Sequence, residues 1–492
     1  MTWRPLSAAA SAATIRAMPK EVAIGTLHEP VLAERLGRLG AAYPGDPGLL
    51  ATLDSFIRTA ADQDIVRVNP VRFAEQHGLA TADVVALFLH ARKVGLMTME
   101  WQYVCPGCGE VVERLPSLTS ATAHYFCQTC SADRDADMSE FIEVTFTVAP
   151  DVRRSRYHDP WSLEPDEHFF GYRFSQTAVV DDGSPLRKHI RDRAVACRYV
   201  TPGETTTIAV AAEPGYVWLT NGPALIVDEA RTDEVRSFAF EYTGNRSQGA
   251  RAEIPAGPVE IAFTNATTEP YALMAIQLPD HYDVAMRPFL SGADVLSNQT
   301  FLELFATETI VAGEGLAVRR LALLFTDLQG STALYERIGD MKAFDLVRQH
   351  FGYLRESIVR NSGALVKTIG DAVMASFVDP LDALRAALEM RSRIAAFNAA
   401  AGGDQVVLKI GLHAGACLAV TLNDRLDYFG QTVNIAARVQ GMAGPDEIVV
   451  TDEVLSIPGA IALVAGLPID ETSVELKGVA GEVRIHHVRP SA

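Results

Sequence analysis

Apolar residues recur with a helical period near the start of this chain and in short strand-like runs in its middle. From about residue 20 to residue 60, the spacing of Leu32, Leu36 and Leu39 predicts helices. From Cys197 to Pro279, short apolar runs are separated by Gly, Pro, Asn and Asp, which is typical of a small β-sandwich. We therefore predict a helical region followed by a β-rich domain. The sequence leaves open whether that domain is a sensor or a spacer.

The region before the β-rich domain has the outline of a winged helix. Residues 71–77 and 82–94 predict two helices around a turn at Gly78, with Thr81 capping the second, and a strand follows. The stretch from Arg67 to Lys93 contains four basic and two acidic side chains, a surplus of only two positive charges. Reading DNA requires a surface that neutralises several phosphates. A packing or dimer-contact role is therefore favoured over DNA binding.

Strands and helices alternate from Arg319 onward. The apolar run at residues 321–324 predicts a strand, and apolar positions between residues 344 and 358 predict a helix. Two further strands, at residues 364–368 and 372–377, flank a tight turn, and Asp379 with Pro380 predicts the start of the next helix. The order β-α-β-β-α-β predicts a ferredoxin-like α+β domain.

Composition and charge narrow the range of partners. The chain has 492 residues, enough for about three domains, and is 48% hydrophobic and 21% charged. Its net charge of −18 makes nucleic acid an unlikely general partner. No apolar run approaches about 18 residues, so no membrane span is expected. An alanine-rich opening, soon interrupted by Arg16 and Lys20, is a feeble secretion signal, and we expect a cytoplasmic protein.

Two pairs of cysteines have the spacing of a metal site. Cys105 and Cys108 form one CxxC motif, and Cys127 and Cys130 form a second after 18 intervening residues. Four thiolates at this separation match a structural zinc site, in which small residues let backbone N–H groups approach the sulfurs. The alternatives are two disulfides, which a reducing compartment disfavours, or four unrelated core cysteines. Because four sulfur ligands leave no open position, we expect Zn²⁺ to be structural.

These patterns predict five regions along the chain. They are a helical and winged-helix-like region at 1–100, a zinc ribbon at 101–145, a β-rich sandwich-like domain at 146–290, a linker at 291–318 and the ferredoxin-like α+β domain at 319–489.

Two carboxylates in the last region are placed to bind hard cations. Asp327 follows the apolar run at residues 321–324, and Asp371 follows the strand at 364–368. Carboxylates at adjacent strand ends suit Mg²⁺, which prefers oxygen ligands and shares them with substrate phosphates. The small turn at residues 329–332 offers backbone N–H groups to an anion.

Four motifs in order resemble the class III nucleotidyl cyclase domain, over residues from about 319 to 489. They are Phe325-Thr326-Asp327, Lys367-Thr368-Ile369-Gly370-Asp371, Asp427-Tyr428-Phe429-Gly430-Gln431-Thr432-Val433-Asn434 with Arg438, and Leu476-Lys477-Gly478. The front of the chain resembles, less specifically, the region that precedes some bacterial cyclase domains. The resemblance implies an adenylate cyclase that converts ATP to 3′,5′-cyclic AMP and pyrophosphate, with two Mg²⁺ or Mn²⁺ ions at Asp327 and Asp371.

The resemblance also implies a role for each polar residue. Lys367 can only donate and ionised Asp427 can only accept, so the pair fits the N1 acceptor and N6 donor of adenine. Guanylyl members of the family typically carry Glu and Cys at these positions. Asn434 would orient the ribose, and Arg438 would stabilise charge at the α-phosphate. Lys477, which we expect at the surface on a strand, would hold the terminal phosphates.

In the family, two catalytic domains pack head to tail and share each site, and this chain carries both sets of residues. We therefore expect a homodimer with two sites. Gln431, where Asn is common, is a minor departure. Three alternatives are carried forward: a guanylate cyclase, a nucleotide-binding regulatory module without turnover, and a nucleic-acid binder with a regulatory cyclase tail.

Overall fold

The computed structural model describes residues 25–127, 129–130, 132–220, 224–244, 251–279, 282–311, 313–400 and 406–490. The alanine-rich opening, in residues 1–24, lies outside these ranges, as does Gln128 in the second cysteine motif. The chain divides into two compact units, Met1–Met99 with Thr145–Arg173, and Glu100–Val144 with Phe174–Ala492. None of the described helices has the length and apolar character that crossing a membrane requires.

The first unit is mainly helical, as the leucine spacing predicts. Its helices are α1 (Glu29–Ala42), α2 (Pro47–Thr59), α3 (Pro70–His77), α4 (Thr81–Lys93) and the single turn α5 (Pro165–Glu167). Leu32 and Leu39 on α1 are fully buried, as are Leu53 and Ile57 on α2. Residues of one helical face therefore form the core of this unit.

The helix-turn-helix formed by α3 and α4 follows local sequence signals. The Asn69 side chain accepts from the backbone N–H groups of Val71 and Arg72 at the start of α3, and Gly78 ends that helix with φ of +64°. The prediction that Thr81 caps α4 is wrong by one residue. Ala80 occupies the cap position without a side-chain hydrogen bond, and Asp83 in the first turn interacts favourably with the positive end of the helix dipole.

Short strands dominate the chain between residues 97 and 304. The strands are β1 (Met97–Val104), β2 (Val111–Leu115), β3 (His124–Cys127), β4 (Ala132–Asp135), β5 (Ile142–Val148), β6 (Ala178–Val179), β7 (Ala194–Val200), β8 (Thr205–Ala212), β9 (Gly215–Leu219), β10 (Ala224–Arg231), β11 (Arg236–Tyr242), β12 (Arg251–Asn265), β13 (Tyr271–Leu278) and β14 (Ala285–Met286). The helices are α6 (Leu186–Arg191), α7 (Gly292–Leu296) and α8 (Gln299–Leu304).

Strand β12 joins two layers of the β-rich domain. Its first half pairs in parallel with β10, and its second half pairs with β8 and β11. The change of partner occurs at Gly257, where φ is +148° and a Cβ atom would lie 2.2 Å from the Thr232 carbonyl oxygen. Apolar residues of both layers, including Val217, Leu273 and Phe263, share one buried core. This arrangement is sandwich-like.

The catalytic region is an eight-stranded sheet with helices. Its elements are β15 (Leu316–Leu328), α9 (Ser331–Ile338), α10 (Asp340–Arg360), β16 (Ala364–Ile369), β17 (Ala372–Phe377), α11 (Pro380–Ala400), β18 (Leu408–Leu422), β19 (Arg425–Phe429), α12 (Gln431–Gly441), β20 (Ile448–Thr451), α13 (Asp452–Leu455), α14 (Ala460–Leu463), β21 (Ile469–Glu475) and β22 (Glu482–Val488). The strand order is β16-β17-β15-β18-β20-β22-β21, and β19 pairs with β18.

The predicted α+β class and ferredoxin-like order are confirmed in this region. Strand β15 is central, antiparallel to β17 on one side and to β18 on the other. The backbone N–H of Leu381 donates to the Asp379 side chain at 2.9 Å, as a capping role predicts. A Cβ atom on Gly411 of β18 would lie 2.2 Å from the backbone nitrogen of Gln440. Helix α12 therefore packs directly against the sheet, which fixes the position of the residues it carries.

Candidate active site and cysteine cluster

Asp327 and Asp371 lie close enough to influence each other. Asp327 is near the end of β15, directly after a fully buried apolar run, and Asp371 is in the two-residue turn between β16 and β17. Gly370, the other turn residue, has φ of +65°, which a tight hairpin favours. Burial raises the pKa of Asp327, and the Asp371 carboxylate raises it further. The two carboxylates therefore repel each other, and a bound cation would relieve this repulsion.

The carboxylate pair fits a divalent cation. One buried oxygen of Asp371, Oδ2, has no hydrogen-bond partner among the residues that the structure describes. Burying an unpaired carboxylate oxygen is costly, so such an atom indicates a site for a ligand. Carboxylate oxygens are the ligands that Mg²⁺ and Mn²⁺ prefer. The pair is therefore suited to these ions.

Sequence reasoning missed Lys409, which lies opposite Asp327 in the pairing of β15 with β18. Its charge lowers the pKa of Asp327, against the effect of burial. A lysine inside the apolar run of β18 was the available signal, because a charged residue in a central strand requires a partner.

Lys367 and Asp427 form an ion pair. The Lys367 Nζ lies 2.5 Å from Asp427 Oδ2, and the backbone N–H of Tyr428 donates to Asp427 Oδ1 at 2.8 Å. The Asp427 side chain is 10% exposed and that of Lys367 is 38% exposed. One acceptor and one donor are therefore held side by side at a partly open surface.

The strands that carry this ion pair do not pair with each other. Lys367 is on β16, at one edge of the sheet, and Asp427 is on β19, which pairs with β18. A bulge between Leu365 and Lys367 shifts the register of β16 against β17. Bulges of this kind change the direction of a side chain. The contact is therefore a product of the tertiary fold.

Helix α12 presents Asn434 and Arg438 one turn apart, and the latter meets the turn after β21. Gly478 in that turn has φ of +74°, and a Cβ atom there would lie 3.8 Å from both terminal nitrogens of Arg438. The Arg438 Nη1 is buried without a hydrogen-bond partner in the described part of the chain. An unsatisfied guanidinium nitrogen is a candidate for binding an anion.

Lys477 lies in the same turn as Gly478 and is exposed. The expectation that it is on a strand is wrong, because β21 ends at Glu475 and β22 begins at Glu482. The turn places this lysine beside the Arg438 region, as a phosphate-binding role would require. Within the described ranges, no side-chain hydrogen bond or ion pair links Arg438 or Lys367 to the Asp327 and Asp371 pair.

The four predicted zinc ligands form one cluster. The ligand atoms of Cys105, Cys108, Cys127 and Cys130 all lie within 4.8 Å of one another. The Sγ atoms of Cys105 and Cys130 are 3.7 Å apart, and those of Cys108 and Cys127 are 3.6 Å apart. A disulfide requires about 2.05 Å, whereas tetrahedral ligands 2.3 Å from a zinc ion are about 3.8 Å apart. The cluster therefore has the spacing of a metal site.

The local backbone supports metal binding at this cluster. The backbone N–H of Cys130 donates to the Cys127 Sγ at 3.4 Å. A Cβ atom on Gly107 would lie 2.9 Å from Arg134 Nη2 and 3.2 Å from the Cys130 Sγ. Glycine therefore lets the first knuckle approach the second, and the Arg134 guanidinium can offset thiolate charge. The cluster can hold a metal ion.

Comparison with known proteins defines the class of the catalytic region. Residues 317–486 match the family model described as adenylate and guanylate cyclase catalytic domain. This region is a class III nucleotidyl cyclase catalytic domain. Residues 41–303 match the model described as a family of unknown function, DUF5939. Because that match covers just over half of the chain, the protein belongs to this family.

Individual relatives match part of this chain. An adenylate cyclase of Anabaena cylindrica is 28% identical over 191 residues, which are 35% of this chain and 37% of the relative. The pH-sensitive adenylate cyclase MT1302 of Mycobacterium tuberculosis is 28% identical over 208 residues, 40% of this chain and 50% of the relative. The chain thus spans half or less of the length of these two relatives.

Among solved structures, the adenylyl cyclase CyaB from P. aeruginosa is similar at 23% identity. The match has a TM-score of 0.32 and covers 36% of this chain and 97% of that chain.

Proposed function

We propose that this protein is an adenylate cyclase that converts ATP to 3′,5′-cyclic AMP and pyrophosphate. The observation that carries the proposal is the ion pair of Lys367 and Asp427, with Nζ and Oδ2 2.5 Å apart. Adenine presents an N1 acceptor and an N6 donor, which match a donor and an acceptor fixed side by side. Guanine presents an N1–H donor and an O6 acceptor, so both groups would be mismatched. The names of the Anabaena and Mycobacterium relatives point to the same substrate.

Each of the other proposed site residues has its own role in the reaction. The 3′-oxygen of the ribose attacks the α-phosphorus, the bond to the β-phosphate oxygen breaks, and pyrophosphate leaves while the 3′-hydroxyl proton passes to solvent. Asn434 orients the ribose, and Arg438 donates to the α-phosphate oxygens, where charge develops. Lys477 binds the terminal phosphates as a point charge. Mg²⁺ or Mn²⁺ held by Asp327 and Asp371 would favour the 3′-alkoxide and offset triphosphate charge.

The proposal also covers the oligomeric state, the structural metal and the cellular location of the protein. Asp327 and Asp371 of one chain would serve a site that takes Lys367, Asp427 and Arg438 from a second copy, as a symmetric homodimer permits. The cysteine cluster would hold structural Zn²⁺. An ATP-consuming enzyme with four thiols kept free of disulfides is suited to the cytoplasm.

The test is a product assay on the purified protein with ATP and GTP, each in Mg²⁺ and in Mn²⁺. We expect cyclic AMP from ATP, and little cyclic GMP. Cyclic GMP as the main product would make the protein a guanylate cyclase. Nucleotide binding without any cyclic product would make it a regulatory module.

A variant of the ion pair tests the base-reading residues directly. Lys367→Glu with Asp427→Cys should cost the ATP reaction on the order of 2–6 kcal/mol in transition-state free energy, from about 1–3 for each group left unpaired. The matched control is Arg348→Glu, which reverses an exposed charge that pairs with Asp345 on α10 and should leave turnover unchanged. A wild-type kcat/KM for ATP in the double variant would show that these two residues do not read the base.

A further inference from the structure

The segment 297–310, here called the linker segment, hydrogen-bonds to the catalytic sheet at several points. It includes α8 and lies between the β-rich domain and β15. The Gln299 Oε1 accepts from the backbone N–H of Leu365 on β16 at 2.8 Å. The Ser297 Oγ lies 3.4 Å from the Tyr428 hydroxyl on β19. One short segment therefore contacts both strands that carry the base-reading pair.

These contacts lie next to the residues that read the base. Leu365 precedes Lys367 by two positions, at the start of the bulge in β16. Tyr428 follows Asp427 directly, and its backbone N–H donates to the Asp427 carboxylate at 2.8 Å. A shift of either contact would therefore change the separation or the direction of the Lys367 and Asp427 side chains.

Tyr428 is suited to transmit a shift of the linker segment to its neighbour Asp427. It is only 3% exposed, and burial raises its pKa to about 12, so its hydroxyl stays protonated. A buried hydroxyl needs a partner, and Ser297 supplies one. A third contact holds the hairpin of β18 and β19, because the Thr421 hydroxyl accepts from the Ile310 N–H at 2.8 Å and donates to the Ile310 carbonyl at 2.9 Å.

We propose that Ser297 and Gln299 are positioning residues for the base-reading pair, so that the linker segment sets nucleotide affinity and base selectivity. The proposal rests on the proposed function, because it assumes that Lys367 and Asp427 contact the base. Strands β16 and β19 are separated in the sheet by β17, β15 and β18, so the sheet sets their distance only indirectly, whereas the linker segment contacts both. Small displacements of binding groups are costly in enzymes. Contacts to the base are equal in the ground and transition states, so their weakening should raise KM more than it lowers kcat.

The experiment uses the whole 492-residue chain and three separate variants, Ser297→Ala, Gln299→Met and Tyr428→Phe. Each removes one polar group and leaves the Lys367 and Asp427 side chains in place. We expect the KM for ATP to rise about two- to tenfold, as for the loss of one neutral hydrogen bond, with kcat within about twofold. The ratio of kcat/KM for ATP to that for GTP should fall, because displaced groups discriminate less. Ser297→Thr keeps the hydroxyl, so its KM for ATP and its ratio of kcat/KM for ATP to that for GTP should stay at the wild-type values.

The matched control is Glu308→Ala on the same segment. Glu308 accepts from the backbone N–H of Leu118, at 2.7 Å, and not from β16 or β19. This variant should retain the wild-type KM and base selectivity. An equal change in Glu308→Ala would overturn the proposal, since any loosening of the segment would then have the same effect.

The outcomes separate this inference from the proposed function. If wild-type protein makes cyclic AMP and the three variants keep its KM and selectivity, the positioning role is wrong and the adenylate cyclase stands. A parallel loss of kcat and thermal stability, with KM and selectivity unchanged, also overturns positioning in favour of a general structural role. If wild-type protein neither cyclises nor binds ATP or GTP, measured by calorimetry with 3′-deoxy-ATP and 3′-deoxy-GTP, the proposed function fails and the inference fails with it.

Discussion

Asp371 and Arg438 each carry a buried polar atom without a hydrogen-bond partner in the described part of the chain. Folded proteins pair almost all such atoms, because an unpaired one costs about 1–3 kcal/mol. One is an acceptor that suits a cation, and the other is a donor that suits a phosphate. These two atoms belong to residues assigned to metal and phosphate, where a bound ligand would supply the missing partner.

His350 on α10 is a buried residue with a different consequence. It is fully buried among Phe351, Tyr353 and Phe397, and neither ring nitrogen has a hydrogen-bond partner among the described residues. Burial lowers its pKa from 6.5 to about 4. The neutral form is therefore the one that the fold accepts.

This burial predicts a specific pH dependence of stability. Between pH 6.5 and about 4 the unfolded chain binds a proton at His350 that the folded chain does not, so the free energy of unfolding falls as pH falls. The loss reaches about 3 kcal/mol by the lower pH, at about 1.36 kcal/mol per pKa unit. His350→Leu should lose less stability than wild type between pH 7 and pH 4 in denaturant unfolding.

Measurement at pH 8, where the histidine is neutral in both states, gives the packing cost of His350→Leu alone. Other groups titrate over the acid range, so only the difference between the two proteins reports on His350. Parallel pH profiles would mean that His350 does not resist protonation in the folded state.

At the scale of elements, the cysteine cluster is joined to the catalytic sheet by the strand and turn that follow it. The backbone N–H of Met138 donates to the Ala317 carbonyl on β15 at 2.8 Å. Arg319, also on β15, forms ion pairs with Asp137 at 2.9 Å and with Glu140 at 2.7 Å. A metal in the cluster would thus stabilise an element that packs against the strand of Asp327.

The zinc proposal predicts about one tightly bound zinc per chain, with local unfolding of the ribbon when it is removed, because metal binding and folding are coupled in such modules. Metal analysis before and after chelation, with alkylation of thiols, measures both. Cys108→Ser should lower the zinc content strongly. Cys197→Ser, which changes a half-buried cysteine outside the cluster, should not.

Cyclase activity should persist after the loss of zinc, at a lower level than in the zinc-bound protein. The main core of the catalytic region is built from residues between Ala322 and Val488 alone, so it does not depend on the ribbon for burial. Purified protein without zinc, whose Cys105 and Cys108 are freely alkylated, would contradict a zinc site.

At the scale of the whole molecule, one chain contains all residues of the proposed mechanism but not all in contact. Lys367 and Asp427 meet, and Arg438 meets the turn of Lys477. Within the described residues, no side-chain hydrogen bond or ion pair joins the Asp327 and Asp371 pair to either group. A shared site between two copies accounts for a complete set of residues held in separate groups.

Mixing two inactive variants tests this arrangement. Asp327→Ala should be inactive for want of metal, and Arg438→Ala nearly so for want of transition-state charge. In a mixed dimer, one site collects both defects and the other is intact. With random exchange about half of the dimers are mixed, so roughly a quarter of wild-type activity should return.

The matched control mixes Asp327→Ala with Asp371→Ala. Both variants damage the metal half, so each site of a mixed dimer lacks one carboxylate and no activity should return. Subunit exchange is confirmed by pull-down with two tags. If exchange occurs and the first mixture stays inactive, Asp327 and Arg438 act within one chain and the shared-site mechanism is wrong.

The sequence by itself determined the elements and the identity of the chemistry. Local signals placed the helix start at Asp379, the end of α3 at Gly78 and the tight turn beside Asp371, because caps and turns depend on a few adjacent residues. The spacing of the four cysteines was sufficient to predict one cluster. Where two local options differ by little, as between Ala80 and Thr81 at the start of α4, the prediction was wrong by one residue.

Only the tertiary structure decided which of these elements meet. Lys367 contacts Asp427 across strands that do not pair, Lys409 lies opposite Asp327 through strand register, and Ser297 reaches Tyr428 from outside the catalytic sheet. Such contacts depend on register, bulges and packing between residues far apart in sequence, which no local pattern encodes. The sequence therefore named the chemical groups of the site, and the packing of the sheet and linker segment fixed the distances at which they can act.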